Sequence, residues 1–196
     1  DALRTLMHEQ RAEGVDLYLT GVAVQKHDVT AFIDRDQRVL IPIALAVLGA
    51  MLASFFRRSL GVVLPLAVTG ITVVWTLGLY GLAGLKINAI TALLPPILMV
   101  LSLAVSIHLV QGWIDVPSAG RDRVPRILLV VRTLWFPCFF CALTTAFGFA
   151  SLLTNTMPAV RQFGAFAAIG TLISFVVGIT LVPIGLTYLP SPAGRP

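Results

Sequence analysis

The chain has 196 residues, of which 57% are hydrophobic and only 12% charged, and its formal net charge is +5. Soluble domains carry about 25% charged residues, so this composition excludes an ordinary soluble domain and calls for lipid as the solvent. The positive balance does not point to nucleic acid, because the basic residues sit in short segments flanking apolar runs.

Residues 1–36 hold most of the acids and read as a water-exposed segment. Asp16-Leu-Tyr-Leu-Thr20 alternates and predicts a strand ended by Gly21. His27 to Arg38 predicts a helix feeding the membrane. Asp1 is not an initiator Met, and no basic segment with a short apolar core opens the chain. It therefore reads as part of a longer protein.

From Asp36 to Asp115 there is no Asp or Glu in between, and none follows Asp122. Five uncharged apolar runs fill these stretches, each long enough for the ~20 residues that cross a bilayer. They predict helices at about residues 39–56, 59–85, 87–113, 133–154 and 162–189, within a transmembrane domain of residues 37–190. A polar loop over 115–132 and a short tail, 191–196, complete the organisation. The fold class is all-α membrane protein: a five-span helical bundle with a short extracytoplasmic N-terminal α/β remnant.

Arginine asymmetry orients the chain. Arg57, Arg58, Arg121, Arg123, Arg126, Arg132 and Arg195 fall at one end of the spans, and the opposite short loops hold only Lys86 and Arg161. The positive-inside rule puts the arginine-rich end in the cytoplasm and residues 1–36 outside. Prolines 42, 65, 95, 96, 137 and 183 lie within the runs, where neighbouring helices and hydroxyls can satisfy the freed backbone. Pro95-Pro96 should kink the third span. Gly164/Ala168, Ala146/Ala150 and Gly170/Ser174/Gly178 repeat at four residues, as close helix packing requires. Cys138-x-x-Cys141 lies inside the fourth span without a second ligand pair, so it reads as two small residues one turn apart, not a redox or metal centre. No metal or cofactor is expected.

The third span carries the polar side chains: Asn88, Thr91, Ser102, Ser106, His108 and Gln111. Ser102 and Ser106 share one face, His108 and Gln111 another. Apart from thiols and tyrosines, His108 is the only titratable group in any span. An ionisable group in a membrane is a functional candidate by default, and imidazole titrates near neutrality. A neutral imidazole near the end of the helix, bonded to a neighbour, is the other reading. Ser106 and His108 are two apart and point about 200° apart, so they form no Ser-His dyad. No H-E-x-x-H or paired carboxylates occur either, and the chain is not expected to be an enzyme.

Four sequence stretches carry a resemblance. Thr144-Thr145-Ala-Phe-Gly148-Phe and Arg161-Gln-Phe163-Gly164, followed by Gly170, are the most specific. Phe55-Phe-Arg-Arg-Ser59-Leu-Gly61 and Trp75-Thr-Leu-Gly78 through Asn88 extend the likeness. The chain resembles the resistance-nodulation-division (RND) superfamily of permeases, in the branch of MMPL-type lipid exporters and sterol-sensing-domain proteins. The resemblance implies twelve spans in two similar halves, each half being one span, a large extracytoplasmic domain and five further spans. It implies that Leu17–Gly21 ends such a domain and that Thr144, Thr145, Gly148, Arg161, Phe163, Gly164 and Gly170 are structural motif residues. It further implies export of hydrophobic or lipid-like substrates driven by the proton motive force across the inner membrane. The implied partners are the lipid bilayer, the other half of the transporter and the substrate; a homo-oligomer is an option that the sequence leaves open. A non-transporting, sterol-sensing-like regulatory module is the alternative. The likeness also brings out a departure: an Asp is expected shortly before Ile107-His108-Leu109, but Ala104, Val105 and Ser106 stand there. His108, Ser106, Ser102 and Gln111 remain as candidate coupling or gating residues.

Overall fold

A backbone in lipid must satisfy its own polar groups, and a helix does so within one segment. The computed structural model describes residues 22–56, 59–116 and 123–188. These form α1 (Val22–Phe55), α2 (Ser59–Leu82), α3 (Leu94–Asp115), α4 (Arg123–Ala150) and α5 (Pro158–Tyr188), with 3-10 turns at Thr91–Leu93 and Ser151–Thr154. All five are long and apolar enough to cross a membrane. No strand occurs among the described residues. The expected strand at 16–20 and the tail at 191–196 lie outside them.

Two expected elements fuse in α1. The pre-membrane helix and the first span form one helix of 34 residues that continues through Pro42. At 1.5 Å per residue it runs about 50 Å, well beyond a hydrocarbon core of about 30 Å. It is also peripheral: only 6% of its membrane-spanning window is buried, against 50% for the third span.

The second hairpin differs from expectation. The apolar run suggested helix to residue 85, but α2 stops at Leu82 and the chain turns through Gly84 at φ 68°, a conformation suited to glycine. Asn88 then closes the next start. Its Oδ1 accepts from the backbone N–H groups of Ile90 and Thr91, both at 3.0 Å. Pro95 and Pro96 follow in the first turn of α3, where a missing N–H costs nothing. They begin the helix instead of kinking it. At the other end α4 starts at Arg123, so Arg126 and Arg132 belong to a helix, not to the expected polar loop.

The core is a three-helix unit. α2, α3 and α5 pack mutually, α4 lies along α5, and α1 touches mainly α2. Gly170 and Gly178 let α5 approach α3. A Cβ at Gly170 would lie 2.6 Å from Leu98 Cδ2 and 3.0 Å from Thr76 Cγ2, and one at Gly178 would lie 2.9 Å from Val105 Cγ1. Ser174, between them, is buried. This small-residue stripe is therefore spent inside the bundle, as the close helix packing read from its spacing requires.

Candidate functional site

α3 separates the four sequence candidates into two pairs. Ser102 and Ser106 are fully buried. Ser102 Oγ donates to Thr69 Oγ1 on α2 at 3.1 Å and lies 2.7 Å from the Leu98 carbonyl, while Ser106 Oγ donates to the Ser102 carbonyl at 2.9 Å. His108 and Gln111 are exposed on the opposite side. Gln111 Nε2 donates to Asp115 Oδ1 at 3.0 Å. Val100, Ala104, His108, Gln111 and Asp115 follow one another at three- and four-residue steps along this outer face, all exposed. The position where the resemblance led one to expect a carboxylate, at Ala104 to Ser106, straddles both faces.

The serines belong to a larger hydroxyl layer. Thr69, Thr72 and Thr76 of α2, with Thr171 and Ser174 of α5, are all buried. Contacts set the register: Leu98 and Thr76 meet Gly170, Val105 meets Gly178, and Thr69 meets Ser102. Ser102 and Ser174 therefore stand at the same height in the parallel helices α3 and α5, with Thr69 and Thr72 beside them. Thr69, Thr76 and Thr171 donate back to carbonyls of their own helices at 2.8, 2.8 and 2.7 Å. Among the described residues Thr72 Oγ1 and Ser174 Oγ have no hydrogen-bond partner. The Thr spacing of three and four was visible in the sequence but lay in the second span, away from the third-span candidates.

A second polar knot closes the other end. Tyr80, buried on α2, donates from Oη to the Lys86 carbonyl at 3.0 Å and lies 3.4 Å from both Thr91 Oγ1 and Gln162 Oε1. Its ring meets that of Phe166 edge-on at 4.8 Å. Gln37 Nε2 of α1 donates to the Ala92 carbonyl at 2.6 Å, tying the long helix to the start of the third span.

The motif residues divide likewise. Thr144 and Thr145 donate to carbonyls one turn back, of Phe140 (2.8 Å) and Cys141 (2.7 Å). Gly148 is exposed, and nothing lies within 4 Å of a Cβ placed there. Arg161 is exposed. Phe163, Gly164 and Gly170 are buried; a Cβ at Gly164 would lie 2.6 Å from Leu152 Cβ and 2.7 Å from the Phe149 carbonyl oxygen. Cys138 is buried against Ala142 and Phe175, Cys141 is exposed, and both thiols are free. Among the described residues no three His, Cys, Asp or Glu side chains gather as metal ligands.

A five-helix bundle with this motif content matches the MMPL family over residues 1–191. The chain belongs to the MMPL family. It is 25% identical to a Methanocaldococcus jannaschii protein described as a membrane protein, over 87% of this chain and 44% of that one. It is 27% identical to patched homolog 1 of Danio rerio, over 59% of this chain and 9% of that protein. The chain thus spans less than half the length of these relatives. No solved structure matches.

Proposed function

We propose that this MMPL-family bundle is one half of an inner-membrane permease that exports hydrophobic or lipid-like molecules, driven by the proton motive force. The outer face of α3 carries the reading. It presents His108 and Gln111, both exposed, within a membrane span, with no helix among the described residues covering them. Ionisable and amide groups facing hydrocarbon are costly, and in membrane proteins they turn toward other protein or a water-filled cavity. A second half packed on this face supplies that cover. The 44% coverage of the archaeal relative leaves room for such a half. The five spans hold no acidic residue between Asp36 and Asp115 and none beyond Asp122, so a proton-carrying carboxylate belongs on the opposing half.

The test uses the full-length protein. Cysteines at Ala104 or His108 should cross-link to a central span of the other half, and reconstituted vesicles should export a lipid-like substrate until the proton gradient is collapsed. This chain alone should insert without transporting. Export by vesicles holding only this chain, or cysteines at Ala104 reachable only by lipid-soluble reagents, would sink the proposal.

A further inference from the structure

At the arginine-rich end of the bundle, Arg126 is only 3% exposed, and Trp113 beneath it 2%. Guanidinium groups stay charged, and buried charges are ordinarily paired. Among the described residues Arg126 has one hydrogen-bond acceptor, the Trp113 carbonyl, 2.6 Å from Nη2. Its guanidinium carbon stands 4.8 Å above the centre of the Trp113 ring. The carbonyl belongs to the last turns of α3, whose partial negative charge offsets part of the cation, and the ring face offsets a little more. Yet Arg126 itself lies in the first turn of α4, whose helix dipole presents partial positive charge there. Arg132 stands two turns further along the same helix, and Arg121, Asp122 and Arg123 precede Arg126 in sequence. The nearest described carboxylate in sequence, Asp115, is exposed and held by Gln111.

Two donors remain. Arg126 Nε and Trp113 Nε1 are both buried, and among the described residues neither has a hydrogen-bond acceptor. They belong to one stacked pair, so a single group with two acceptor oxygens can serve both. A buried donor without an acceptor is costly, more so when it is charged, and Arg126 itself carries a full positive charge. A tetrahedral oxyanion meets both demands, and arginine and a helix N-terminus are the usual means of holding one. The long arginine stem lets the guanidinium swing to meet it at the bundle edge. Tryptophan and arginine at a span end are also where lipid headgroups lie.

We propose that Arg126 and Trp113 form a binding site for a phosphate oxyanion, carried by an anionic membrane lipid or free in solution. The site is separate from the α3 outer face and does not depend on transport. Thermal unfolding of the intact protein tests it in nanodiscs of phosphatidylcholine, with phosphatidylglycerol added, or with inorganic phosphate added. Native mass spectrometry of the same samples reports retained lipid. Trp113→Phe keeps the stacked ring and removes one donor; Arg126→Gln removes the charge. Phosphatidylglycerol should raise the melting temperature of the parent protein. Its affinity should fall roughly tenfold in Trp113→Phe, the loss of one bond to a charged acceptor, and the response should vanish in Arg126→Gln. A response to inorganic phosphate alone makes the free anion the ligand; a response to phosphatidylglycerol alone makes it the lipid. If Arg126→Gln does not fold, Trp113→Phe decides. Indifference of the parent protein to both probes, or parental responses in both variants, overturns the site. So does an Asp122→Asn variant that loses as much stability in pure phosphatidylcholine as Arg126→Gln, because the acceptor is then the chain's own carboxylate.

Discussion

Ser106 and His108 are two residues apart on α3 and face opposite worlds: the serine is fully buried among helices of its own bundle, the histidine exposed on its outside. The polar content of the third span therefore serves two purposes. Ser102 ties this helix to its neighbour through Thr69, Ser106 bonds within its own helix, and His108 is open to the outside of the bundle.

The first prediction follows from that split. His108→Ala in the full-length protein should preserve expression and melting temperature, since no hydrogen bond among the described residues is lost. Transport should persist from about pH 5.5 to about pH 8. Such a result puts the proton-carrying group on the other half. Normal expression with loss of pH-dependent transport would instead assign it to His108.

The second concerns the buried pair Ser102 and Thr69, 3.1 Å apart. Ser102→Ala and Thr69→Val each delete one hydroxyl. Interhelical hydrogen bonds in membranes average about 0.6 kcal/mol and reach about 1.7. A double-mutant cycle by reversible unfolding in detergent micelles should return a coupling in that range. Zero coupling would mean that the two hydroxyls are satisfied by their own helix carbonyls alone. Neither variant should alter the pH dependence of transport, because hydroxyls do not hold charge near neutrality.

Much of this fold was legible because the signal was coarse and physical. Long uncharged runs must be helices in lipid, so the number of spans could be read directly. Their ends could not. Hydropathy does not distinguish the apolar residues Ala83 and Leu85 from the helix before them; Gly84 and the side chain of Asn88 decide where the chain turns. Arginines were counted as loop residues, although α4 begins with them. Ile127 and Val130, buried three residues apart, were the available sign that a helix had already started. Helical spacing paired the serines correctly, and it separated them from His108. It could not say which pair faced inward, since that depends on the partners Thr69 and Gly178. Arg126 and Trp113 escaped notice because thirteen residues and a loop separate them.

Two glycines of the family motifs should behave in opposite ways. Gly170→Val would press new methyl groups into Leu98 and Thr76, where even a Cβ sits at 2.6 and 3.0 Å. Overpacking of this kind costs typically about 1–3 kcal/mol, and Leu98→Ala should recover part of it. Gly148→Ala meets nothing within 4 Å, so in the isolated bundle it should gain up to about 1 kcal/mol of helix propensity. If the second half lies against Gly148, the same change destabilises the full-length protein. Melting curves of the bundle and of the whole protein, with and without each substitution, separate these cases.

The last prediction is the orientation. The arginine-rich end carries Arg57, Arg58, Arg121, Arg123, Arg126, Arg132 and Arg195, against Lys86 and Arg161 at the other. Cationic loops are retained on the cytoplasmic side, so the α4–α5 connection and the N-terminal part of α1 should face outward. Cys138 and Cys141 are first replaced by alanine, since both thiols are free. A single cysteine is then placed at Asn155, which is exposed in the connection after Ser151–Thr154, or at Arg123, the first residue of α4. A membrane-impermeant maleimide added to intact cells should label Asn155→Cys, and should label Arg123→Cys only after permeabilisation. The reverse pattern would invert the bundle. It would place Arg126 and Trp113 on the outer leaflet and direct the long α1 toward the cytoplasm. Labelling of both cysteines from outside would mean that the helix between them does not cross, although α4 has 28 residues, more than the ~20 a bilayer requires.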